Sequence, residues 1–222
     1  MVTGIFPNVD WSDMLLATGQ TLYMTLISGI FTFILGLVLG LLLFLTAEGG
    51  LYEKKWVYRL TSSFVNVFRS IPFIILIVLL IPLTLLIMRT MIGASAALPS
   101  IIIGAAPFYG RLVEIGLREV DKGVIEASEA MGASRWQIIY KVLLPESWPS
   151  MISGMTVTLI ALIGNTAMAG VIGAGGLGSV AYNEGFEANN NDVTFVATII
   201  ILVIVFIIQF VGDRITRLVD KR

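Results

Sequence analysis

Long stretches of this chain carry no charge, and they are too long for strands or ordinary core helices. Met14 to Ala47, Ser70 to Met88, Thr90 to Gly110, Ser147 to Asn183 and Val193 to Gly212 contain no Asp, Glu, Lys or Arg. A helix needs about 20 apolar residues to cross a hydrocarbon core of about 30 Å. Each run therefore holds one crossing, and the pattern predicts an all-α integral membrane protein with five transmembrane helices. The expected spans are 21–45, 64–88, 92–110, 148–172 and 193–212, within a single membrane domain covering 1–222. Between the second and third spans only Arg89 and a few small residues intervene. A hairpin that dips and returns is the competing arrangement there.

The polar segments between the runs differ in sign. Lys54, Lys55 and Arg59 follow the first span, Arg111, Arg118, Lys122, Arg135 and Lys141 lie between the third and fourth, and Arg214, Arg217, Lys221 and Arg222 follow the fifth. Twelve of the fourteen basic residues thus fall on one side. Basic residues are retained on the cytoplasmic face, so the N-terminus is expected outside and the C-terminus inside. The opposite segments carry Asp10, Asp13, Glu184, Glu187 and Asp192. The N-terminal sequence MVTGIFPNVDWSD lacks a basic region and an evident cleavage site, so no removable signal peptide is expected.

Composition narrows the chemistry. Charged residues are 13% of the chain, against about 25% in soluble domains. There is no cysteine and no histidine, which removes thiolate chemistry and the commonest metal ligand and general base. The formal net charge of −1 gives no electrostatic attraction to nucleic acid. No aspartate lies inside an expected span, so aspartyl hydrolysis in the membrane is disfavoured. A secondary transporter would show internal repeats and midplane ionisable residues. Neither is evident.

One motif points elsewhere. The stretch VIGAGGLGSV holds Gly173, Gly175 and Gly178 in the G-x-G-x-x-G spacing of dinucleotide-binding proteins. That fingerprint needs a preceding strand and a following helix in a parallel unit. Here it ends an uncharged run on the expected outer side, so a helix break lining an outer vestibule is expected instead.

The long loop 111–147 is the most patterned polar segment, reading DKGVIEASEAMGASRWQIIYKVLLPES at its centre. Asp121 is placed to cap a helix containing Val124, Ile125, Ser128 and Met131 near one face. Gly132 suits the left-handed position that ends such a helix. Ser134 and Gln137 fit a capping box that starts a second one. Trp136, Ile139, Tyr140 and Leu143 then recur at helical spacing, and Pro145 is expected to stop the helix. Two helices this short need a surface to bury against. The protein's own bundle, the lipid interface or a soluble partner would each serve.

These residues resemble the loop motif of ATP-binding-cassette importer permeases: E-A-A, three residues, G, nine residues, I-x-L-P. The chain has Glu126-Ala127-Ser128, then Gly132, then Val142-Leu143-Leu144-Pro145. Ser128 and Val142 depart from the pattern while the spacing is kept. FRSIPFIILIVLLIP (68–82), GAAPFYGRLVE (104–114) and GAGGLG extend the similarity to the methionine-uptake permeases within that family. The resemblance implies a bacterial inner-membrane subunit that carries methionine but does not hydrolyse ATP. It implies a second copy of the chain, two ATPase subunits that hold ATP and magnesium, and an external solute-binding protein. This chain has no P-loop and no cofactor is expected in it. Another amino acid or small organic solute is the alternative cargo. The residues implied in ATPase coupling are Glu126, Ala127, Ser128, Gly132, Trp136, Ile139, Tyr140, Leu144 and Pro145. Glu126 would either pair with a partner arginine or keep the helix's outer face polar.

Candidates for the pathway or its gate are Asn66, Arg69, Asn165 and Met168. Arg69 has two readings: a basic residue snorkelling to headgroups at the inner end of span two, or a gate residue facing a dimer axis.

Overall fold

Helix breaks, more than helix lengths, organise the chain. The computed structural model describes residues 6–220; Lys221 and Arg222 of the basic C-terminal cluster lie outside the described residues. Asp10 caps the first helix, its Oδ1 accepting the Ser12 amide at 2.8 Å. Helix α1 then runs from Trp11 to Thr46, ten residues earlier than the expected span. α2 (Lys55–Ser70), α3 (Phe73–Leu79) and α4 (Ile81–Met88) follow. Span two is therefore not one helix. Pro72 has no amide hydrogen to donate, and the chain turns through 108° between α2 and α3. Arg89 adopts a left-handed conformation that ends α4.

α5 covers Ala94–Arg118, passing beyond the expected end of span three. α6 (Lys122–Ala130) and α7 (Arg135–Ile138) form the loop's two short helices. α8 is Leu144–Ala169, α9 is Gly176–Ser179, and α10 is Asn191–Val219. Three π-helical segments, Ile139–Leu143, Gly170–Ala174 and Val180–Glu187, join these elements. No strand occurs among the described residues. By length and composition four helical stretches can cross a membrane, or five if the bent pair α2–α3 is counted as one span.

The chain divides into two compact units. One draws on Met1–Phe31, Ile71–Gly104 and Leu159–Gln209. Its core joins Met14 and Ala17 of α1, Ile163 of α8, Leu177 of α9, and Val196, Ala197 and Ile204 of α10. The other draws on Thr32–Ser70, Ala105–Thr158 and Phe210–Arg222. Here Tyr109, Val113 and Leu117 form one stripe of α5 against Ile138, Ile139, Leu143 and Met151. Small residues let two backbones meet in this unit: a methyl on Gly40 would lie 2.5 Å from Val113 Cβ. This is the close approach that drives packing where both solvent and side chains are apolar. Outward faces stay greasy, with Phe206 and Phe210 of α10 exposed.

Candidate coupling loop

The loop after α5 is held in shape by four local devices. Asp121 caps α6, its carboxylate accepting the Gly123 amide at 2.6 Å. At the other end Gly132 takes φ 81°, and the Gly132 and Ala133 amides donate to the Glu129 and Ser128 carbonyls at 2.9 and 3.0 Å. That pair of bonds is the Schellman closure, which satisfies the carbonyls a helix end leaves free. Ser134 and Gln137 then form a reciprocal capping box, with the Ser134 amide donating to Gln137 Oε1 at 2.8 Å. The fourth is the Ser128 hydroxyl, which donates to the Val124 carbonyl at 2.7 Å. Ser128 is buried, so the serine that departs from E-A-A faces inward with its hydrogen bond made.

Two expectations need correction. Pro145 does not stop the helix. The Leu144 amide donates to Ile139 across a π turn, and the helix continues through Pro145 to Ala169. The widened turn places the proline where the i−4 bond is already interrupted, so its missing amide costs little. The second correction concerns the apolar stripe. Ile139 and Leu143 are buried in this chain's own core together with Ile138. Trp136 and Tyr140 point the other way, 72% and 70% exposed. Ile139 therefore supports the loop from beneath and has no surface to offer a partner. Met131, 81% exposed, belongs to the outward set instead, as does the exposed Val124.

Of the remaining motif residues, Ala127 and Pro145 are exposed and Leu144 is half-buried. Glu126 is exposed and lines a cleft of about 500 Å³ with Glu129, Arg118, Lys122 and Arg135. Glu48 lines the same cleft, so Glu126 sits among charges of both signs within this chain. Arg135 also lies over the Tyr52 ring at 5.3 Å, a cation–π contact that ties the loop to the turn after α1.

One buried charge lies outside the residues that the sequence singles out. Glu114 is 2% exposed on α5 and is held between two guanidiniums, Arg111 one turn before it and Arg118 one turn after, the latter at 2.7 Å. The spacing Arg-x-x-Glu-x-x-x-Arg is the signal, since positions three and four apart share a helix face. It fixes the end of α5 from which the loop departs.

The pathway candidates fall into different units. Asn66 and Arg69 are exposed on α2, in one unit; Asn165 is half-buried and Met168 exposed on α8, in the other. The glycine stretch is a broken helix. Ile172 and Gly173 leave helical geometry, and α9 turns back so that Gly178 lies against the Ala167 backbone. The amides freed by the break are taken by α1: Gly176 donates to Gln20 Oε1 at 2.7 Å and Leu177 to Thr21 Oγ1 at 2.9 Å. The donors that would cradle a phosphate are thus engaged within the protein.

Comparison with known proteins decides what kind of protein carries this loop. Residues 33–222 match the family described as binding-protein-dependent transport system inner membrane component. The chain belongs to this family. It is an inner-membrane transport subunit, all-helical, and not an enzyme. The methionine import system permease protein MetP of Bacillus subtilis is 61% identical to it over 217 residues, covering 98% of each chain. The probable D-methionine transport system permease protein MetI of Vibrio cholerae is 46% identical over 212 residues, covering 95% of this chain and 94% of that protein. Among solved structures, the MetNI methionine ABC transporter in inward-facing conformations matches with a TM-score of 0.93 at 46% identity, covering 95% of this chain and 97% of that one.

Proposed function

We propose that this inner-membrane component forms the pathway by which methionine enters the cell, driven by a separate ATPase. The observation that carries the cargo assignment is the 61% identity to a methionine import permease over 98% of both chains. The spans agree in chemistry: uncharged walls suit a zwitterion with an apolar side chain better than a strongly ionic solute. The N-terminus lies outside and the C-terminus inside, following the basic residues. Two copies assemble about a two-fold axis, the commonest symmetry among soluble oligomers, with Asn66, Arg69, Asn165 and Met168 as candidates for its lining.

Energy enters at the exposed face of the loop. Met131, Trp136 and Tyr140 are large, apolar and uncovered, the residue types that dominate interfaces once desolvated. A partner ATPase grips them, with Glu126 and Ala127 at the rim and Gly132 as the corner. ATP and magnesium reside on that partner, and an external binding protein delivers the solute. Because α7 continues into α8 without a stop, movement of the gripped helix is passed directly to a membrane helix. ATP-driven uptake into vesicles, with methionine competing against other amino acids, tests the reading. Saturable uptake displaced by methionine and not by alanine or arginine supports it. Uptake indifferent to methionine would reassign the cargo.

A further inference from the structure

α2 is built unlike any other helix of the chain. Its 16 residues, KWVYRLTSSFVNVFRS, place Trp56, Leu60, Phe64 and Val67 along one side, at steps of three and four. All four are exposed, Trp56 at 67%. Lys55, Arg59, Ser62, Asn66 and Arg69 occupy the opposite side. A narrow third stripe fastens the helix to its unit: Val65 is fully buried and Tyr58 half-buried, with the Tyr58 hydroxyl beside the Arg111 guanidinium at the polar end of α5.

We infer that α2 lies in the inner headgroup layer as an interfacial helix that binds anionic phospholipid. A membrane-spanning helix would not keep a basic and hydroxylic side along its length. A helix lying flat with its apolar side in the acyl boundary and its polar side at the headgroups satisfies both. Charge names the occupant. From Lys54 to Ser70 there are four basic residues and no carboxylate. Lys55 is shared with Glu48 at 2.9 Å, while Lys54, Arg59 and Arg69 are exposed and have no ion pair among the described residues. Such a surface complements anionic headgroups. The expected second span then contracts from 64–88 to the charge-free Ser70–Met88, whose helical parts are α3 and α4 on either side of Leu80. The inference uses the orientation proposed above and is independent of the cargo.

The chain has no cysteine, so single cysteines report cleanly. The complete transporter is reconstituted in nanodiscs with fluorophores at Leu60→Cys, Val67→Cys or Ser62→Cys. Leu60 and Val67 labels are expected to be quenched by nitroxides placed shallowly on lipid chains. The Ser62 label is expected to be quenched by iodide from the cytoplasmic side. Labels at Leu60 and Val67 shielded from lipid nitroxides would show the apolar side covered by a second copy and overturn the inference. Ser62 reached only from outside would overturn the orientation. Lipid charge is tested separately, by native mass spectrometry of phosphatidylglycerol against phosphatidylcholine retained on the transporter. Lys54→Gln with Arg59→Gln is expected to lower the preference for phosphatidylglycerol about five-fold per charge. No preference in the unaltered protein would sink the lipid assignment while leaving the orientation intact.

Discussion

Two glycines at chain turns, Gly132 at the corner of the loop and Gly178 in the short helix that follows the break, show opposite uses of the same residue. Gly132 sits in open space: a methyl group added there meets nothing within 4 Å, and only its φ of 81° requires glycine. Gly178 is crowded, and a methyl there would lie 2.4 Å from the Ala167 Cα and carbonyl oxygen. The first corner is a conformational choice on a surface that must stay available. The second is a steric choice inside a surface that must stay closed. Around Gly132 the large apolar residues face out, and around Gly178 the freed amides are capped by Gln20 and Thr21. A docking site and a packed break can thus be told apart by what surrounds the turn.

The largest effect should come from Gly178→Ala. Backbone cannot yield as a flexible side chain does, so the cost falls at the upper end of ~1–3 kcal/mol for overpacking. Lower yield of monodisperse protein and a reduced thermal midpoint in detergent would show it. Trp136→Ala comes next and acts differently. Losing a central aromatic anchor costs about 2 kcal/mol of partner binding, close to a thirty-fold fall in ATPase co-purification. The thermal midpoint of the chain alone should not move, since the side chain is mostly exposed. If it falls as it does for Gly178→Ala, the two corners are alike and the contrast fails. Gln20→Ala should cost about 1–2 kcal/mol by leaving the Gly176 amide unpaired, with ATPase binding unchanged. Gly132→Asn should be the mildest, a few tenths of a kcal/mol, because asparagine tolerates the left-handed region. Thermal midpoints of both variants, read beside ATPase retention, sharpen the distinction.

Much of this arrangement is legible in the sequence, for identifiable reasons. Charge-free runs mark the membrane helices because lipid excludes charge. Asp121, Gly132, Ser134 and Gln137 mark the loop helices because caps act over three or four residues. The features that stayed hidden depend on register or on distant partners. Trp136 and Ile139 look like one face because they stand three residues apart, yet the chain's own core covers only Ile139. Pro145 reads as a stop because the widened turn that accommodates it leaves no residue signature. The 108° bend before α3 hides inside an apolar run that looks like the start of a span. Glu114 was readable from its flanking arginines, but its burial was not, because that comes from neighbouring helices.

The account's central claim is that this chain is a conduit worked from the cytosol through the exposed face around Gly132. Concentrative methionine uptake by vesicles holding the purified chain tests it, with the ATPase partner added or omitted and the binding protein and ATP present throughout. Accumulation above the external concentration only with the ATPase, abolished by Trp136→Ala, is the predicted result. Accumulation by the chain with no ATPase present would contradict it.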